Sequence, residues 1–155
     1  VLGRLKEYLM TILATFIAFT LAGPPALPRL FSGYRDVYRF IAEIEGLPTD
    51  PDSVLKLAAE SHITIVHPKQ FYLLIRPDFW NENFVSQIRG AHGNGPFYVL
   101  RQEGRQLRLI GTIFANHIDW GSRNEQPCFT VASDSGGNPD QKDVYCVVGD
   151  TLIRE

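Results

Sequence analysis

Cysteine is scarce in this 155-residue chain, with two residues. That is too few for a disulfide-dense mini-scaffold or a four-cysteine zinc site. An excess of charge of either sign is also lacking. Fifteen basic residues face 17 acidic ones, the net charge is −2 and the pI is about 6.1, so the electrostatic footprint of a nucleic-acid binder is missing. A charged fraction of 21% excludes a multi-span membrane protein, and an apolar fraction of 45% excludes a disordered chain. There is no exact internal repeat, no low-complexity tract and no alternation of strand-like with helix-like segments. The length fits one ordinary domain.

One long uncharged run is present, at the start. Arg4 and Lys6 precede fifteen uncharged residues, Tyr8 to Ala22, and Thr20 and Ala22 stand at the −3 and −1 positions of a signal-peptidase site. A basic start, a short apolar stretch and small residues before the cut are the parts of a secretory signal, expected here over residues 1–22. As a helix the run reaches about 22 Å at about 1.5 Å per residue, short of a hydrocarbon core of about 30 Å. Gly23, Pro24 and Pro25 stop it from running further. Removing Arg4, Lys6 and Glu7 with it leaves the remainder slightly more acidic. Retention of residues 5–22 as a membrane anchor is the alternative.

Residues 23–33 hold three prolines and read as an extended linker, followed by a single α+β domain over 34–155. Tyr34, Val37, Tyr38, Ile41 and Ile44 recur at spacings of three and four, which predicts a helix closed by Gly46 and Pro48. A second short helix starts after Thr49 or Asp50 as cap, with Pro51 in its first turn and Val54, Leu55 and Ala58 as its buried stripe. From His62 the period becomes two. HITIVHP, QFYLLIRP, NFVSQIRG, PFYVLRQ, QLRLIGTIF, QPCFTVAS and DVYCVVG read as strands, TLIRE as a closing one, and Glu103-Gly104-Arg105 as a hairpin turn. Two short helices followed by a largely antiparallel sheet of about six or seven strands define the expected fold class, α+β.

Cys128 and Cys146 lie in strand-like stretches, equidistant from Gly137 in the loop between them. A hairpin centred there sets them opposite each other, close enough for a bridge, and export would supply the oxidising compartment in which it persists.

Chemistry-bearing strings are few. Asp134-Ser135-Gly136-Gly137 has the residues found around the nucleophile of trypsin-like serine proteases, and Ala91-His92 is superficially similar to the histidine site of that family. His92, however, stands in a glycine-rich loop, and no matching aspartate segment lies between the two. The chain is also too short for two six-stranded barrels, and DSGGNPD is ordinary loop composition. Arg89-Gly90-Ala91-His92-Gly93-Asn94-Gly95-Pro96 lets backbone approach a ligand, with Arg89 and His92 suited to an anion and Asn94 beside them. It lacks the Lys-Ser/Thr ending of a phosphate loop. His62, His67, His92 and His117 match no zinc spacing, so neither a metal nor a cofactor is expected. Asn116-His117-Ile118-Asp119-Trp120-Gly121 sets an imidazole and a carboxylate beside an indole, which would suit a sugar or peptide groove. Packing of Trp120 at a sheet end is the more ordinary reading.

From Pro96 onward the order PFYVLRQ, a glycine turn, LRLIGTIF, a polar stretch with Trp120, CFTVAS, a loop and VYCVVGDTLIRE resembles small exported bacterial β-rich proteins of unknown function. The resemblance covers about the last 60 residues, rests on sheet patterning, and implies no activity and no site residues. Where such chains often end in a Tyr-rich strand, this one ends in LIRE.

The expected function is therefore a periplasmic or extracellular, non-enzymatic binding or accessory domain. Arg89, His92, Asn94 and Trp120 are its candidate binding residues, an envelope protein is its partner, and no nucleic acid is involved. A small hydrolase using His92 or His117 with Ser135, Asp119 or Asp134 is one alternative. A membrane-tethered structural domain is the other.

Overall fold

A computed structural model of the chain describes residues 29–66, 71–79, 88–89, 93–132 and 142–155. The expected signal peptide, residues 1–22, lies outside them. So do His67, His92, Asp134, Ser135 and most of the strand candidate NFVSQIRG, whose Ile88 and Arg89 belong to no strand. The expected linker is partly structured. Leu30–Phe31 form a short strand, β1, with Phe31 buried.

Helix α1 spans Tyr34–Ile44 and buries Val37, Tyr38, Ile41 and Ala42, leaving the end members of the expected stripe, Tyr34 and Ile44, exposed. Its end is a Schellman closure. Gly46 adopts φ 69°, its N–H donates to Glu43 O, and the Leu47 N–H donates to Ala42 O at 2.8 Å. Helix α2 spans Pro51–Glu60, and the Asp50 carboxylate accepts from the N–H groups of Asp52 and Ser53 at 3.1 and 3.0 Å. Its buried residues are Val54 and Leu57, whereas Leu55 is exposed. The spacing explains the correction: Leu57 lies one turn from Val54, while Leu55 is rotated about 100° away.

Among the described residues the strands number nine, in two antiparallel sheets, where about six or seven were expected. Sheet one has the order β1-β5-β4-β3-β2, with β2 His62–Val66, β3 Tyr72–Arg76, β4 Gly95–Glu103 and β5 Gln106–Ala115. Sheet two has the order β6-β7-β8-β9, with β6 Ile118–Arg123, β7 Gln126–Ala132, β8 Lys142–Val148 and β9 Thr151–Arg154. The polar stretch around Trp120 supplies β6, which its lack of apolar alternation had hidden.

Two hydrophobic clusters establish three layers, helices on sheet one on sheet two. Val37, Tyr38, Ile41, Val54 and Leu57 of the helices pack with Leu73, Ile75, Tyr98, Leu100 and Leu107. Tyr72, Leu74, Phe97, Val99, Ile113 and Ala115 pack from the other face of sheet one against Phe129, Val131 and Val147 of sheet two. Strands β3 and β4 are thus covered on both faces, which is why they read as continuous apolar runs. In β5 a bulge shifts the register, with Val99 opposite Gly111 and Leu100 opposite Leu109. Leu107 faces the helices, and beyond the bulge Ile113 and Ala115 face sheet two.

Cys128 and Cys146 are directly paired in the β7–β8 register, with Cα atoms 4.1 Å apart, and are joined by a disulfide. The hairpin geometry expected from their spacing holds.

Candidate functional site

The glycine-rich segment after Arg89 leads into β4 at one end of sheet one. Arg89 is 3% exposed. Its Nη1 donates to Gly93 O at 2.6 Å and Ala115 O at 3.2 Å, its Nη2 donates to Pro96 O at 3.2 Å, and the guanidinium lies 4.5 Å from the Phe97 ring centroid. Burial, with the nearby Arg76 charge adding and Asp78 opposing, pushes its pKa down to about 10, so it stays charged at neutral pH. A Cβ at Gly95 would meet Arg89 Cγ at 2.7 Å, so glycine there admits the side chain. Arg89 therefore braces the ends of β4 and β5. Asn94 sits half-buried in the same corner.

Trp120 is 42% exposed on β6, the edge of sheet two. Its cross-strand row runs Trp120, Phe129, Tyr145, Arg154, so the indole continues the inward face of the sheet out to its edge. Just before it, His117 Nε2 lies 3.1 Å from Asp119 Oδ1, both side chains being open to solvent. This is the only part of the hydrolase alternative that falls within the described residues. The described residues contain no group of three His, Cys, Asp or Glu placed to hold a metal ion. A shallow cavity of about 180 Å³ between β1 and α1 is lined by Arg29, Phe31, Asp36, Arg39, Phe40 and Glu43 among others, and by none of the expected binding residues.

Sequence reasoning missed an ionic cluster that ties the two sheets together. Arg101 Nη2 reaches Glu103 Oε1 at 2.6 Å and Asp150 Oδ1 at 2.5 Å, and its Nη1 donates to Gly149 O at 3.0 Å. Arg108 clasps the Glu103 carboxylate through Nε and Nη2 at 2.7 and 2.9 Å. Arg108 first, and then Arg101, hold the Glu103 carboxyl down at about 2. The partners come from the β4–β5 hairpin and the β8–β9 turn, with Arg101 48 and 49 residues from Gly149 and Asp150 in the chain, and no local pattern signals their meeting.

Among the described residues, no helix is long and apolar enough to cross a membrane. No protein-family model, curated protein or solved structure matches the chain.

Proposed function

We propose that the protein is an exported, non-enzymatic binding domain that takes an extended segment of an envelope protein along β6. The observation that carries this reading is Trp120, a large aromatic left 42% exposed on an edge strand. Beyond β6 no further strand is paired among the described residues. An edge strand offers its backbone N–H and C=O groups to an added strand, and an exposed indole beside polar residues is a typical anchor of a binding surface. The His117–Asp119 pair forms its polar rim. The Cys128–Cys146 bridge supports a periplasmic or extracellular location, because such bonds persist in oxidising compartments. The family resemblance of the last 60 residues to small exported bacterial proteins points the same way.

The test places a benzophenone side chain at Trp120, with Arg105 at the β4–β5 turn as control, and irradiates intact cells. A discrete adduct with one envelope protein from position 120 and none from 105 supports the reading. No adduct from 120, or a chain recovered from the cytosol with free thiols, overturns it. An N-terminus at Gly23 on the same material excludes the anchored alternative.

A further inference from the structure

Sheet one has an edge of a different kind. Among the described residues strand β2 ends sheet one, and His62, Ile63, Thr64 and Ile65 are all exposed, Ile63 by 46% and Ile65 by 59%. These two isoleucines are the outer ends of rows that are otherwise buried. Ile65 pairs with Leu73, which pairs with Leu100, and Ile63 pairs with Ile75, which pairs with Tyr98.

Sheet edges in proteins are guarded by charges, proline, bulges or shortness. Two other edges follow that rule, since β1 has two residues and β9 carries Arg154; β6, with Asp119 and Arg123, is the edge proposed above for a foreign segment. Strand β2, His-Ile-Thr-Ile-Val, carries no acidic residue, lysine, arginine or proline.

We propose that β2 is a self-association edge, pairing antiparallel with β2 of a second copy about a two-fold axis through Thr64. The strand is its own complement in that register. Ile63 falls opposite Ile65 of the other copy, Ile65 opposite its Ile63, and all four lie on one face. With no charged side chain on the strand to select a foreign partner, self-matching is the specificity it has to offer. The two exposures together amount to about one whole isoleucine side chain per copy. A pairing of this size stays below the ~1,200 Å² of a standard stable interface, so the dimer is weak and concentration-dependent. The inference is independent of β6 and its partner.

The test uses the full, disulfide-bonded chain. Sedimentation equilibrium over a wide concentration range is expected to show a reversible monomer–dimer system, with Ile65→Lys weakening it by at least about tenfold. Thr64→Cys fixes the register, because Thr64 faces its own copy on the axis and should form a disulfide-linked dimer under mild oxidation. Ile63→Cys faces position 65 and should not link to itself. Strict monomers at every concentration, or equal linking by both cysteine variants, overturn the proposal. A wild-type dimer that Ile65→Lys leaves intact, in a variant with unchanged thermal unfolding, overturns it as well.

Discussion

Replacing Gly111 by alanine places a methyl group where β9 crosses β5. The new Cβ would lie 2.7 Å from Leu152 Cδ1, 3.1 Å from its Cγ and 3.3 Å from its Cβ. Rotation of the half-buried Leu152 side chain can move Cδ1 and Cγ away, at the cost of its packing, but Cβ is fixed to the backbone and its contact needs the strand itself to give by a few tenths of an ångström. Overpacking of this kind costs ~1–3 kcal/mol. The stiffer unfolded chain of the alanine variant returns ~0.4–1 kcal/mol, since the Gly111 backbone conformation is open to alanine. The net expectation is a loss of about 1 kcal/mol, or ~2–4 °C in Tm for a chain of this size. Urea unfolding of the oxidised protein measures it. The decisive comparison is a double-mutant cycle with Leu152→Ala, in which removing the leucine should recover most of the Gly111→Ala loss and give a coupling of about 1 kcal/mol. A Gly111→Ala variant as stable as the parent, or strict additivity in the cycle, would refute the packing of sheet two on sheet one through this contact.

Two further outcomes follow from the polar interactions. Arg89→Ala should destabilise the fold by ~2–4 kcal/mol, because the carbonyls of Gly93, Pro96 and Ala115 lose their charged donor. A stability change below about 0.5 kcal/mol in urea unfolding, within the range of an ordinary surface substitution, would show that Arg89 is no brace. Glu103, held at about 2 against an ordinary 4.5, stabilises the native state fully above about pH 4.5, and this contribution disappears as pH falls through about 2. Because the carboxylate is 29% exposed, the contribution is about 1 kcal/mol or less. Glu103→Gln should flatten the acid limb of stability against pH, and an unchanged limb would contradict the assignment.

Local chemistry made much of this fold legible. The Asp50 cap, the Gly46 closure, the Gly104 turn and the Cys128–Cys146 pairing each depend on a few neighbouring residues or on simple symmetry about a loop. The strand β6 was illegible because Asp119, Gly121, Ser122 and Arg123 show no apolar alternation; its pairing with β7 comes from backbone bonds and from Ile118 and Trp120. The stripe of α2 was misplaced at Leu55 because both leucines are equally apolar, and only the sheet's position selects Leu57. Of the candidate binding residues, Trp120 is solvent-facing and Arg89 is internal, a distinction that residue type cannot make.

The sequence by itself determined the fold class, α+β with antiparallel strands, and the pairing of the two cysteines. These follow from periodicity, turn chemistry and cysteine spacing, all of them short-range properties. Tertiary structure decided that the strands divide into two sheets, that β3 and β4 are covered on both faces, and that β2 and β6 stand at edges among the described residues. Cover on both faces leaves a mark in the local pattern, as in the apolar runs of β3 and β4, but which strand lies at an edge is set by the neighbour brought to it from elsewhere in the chain. The two open edges, at Trp120 and at Ile63 and Ile65, locate the surfaces where binding is to be sought.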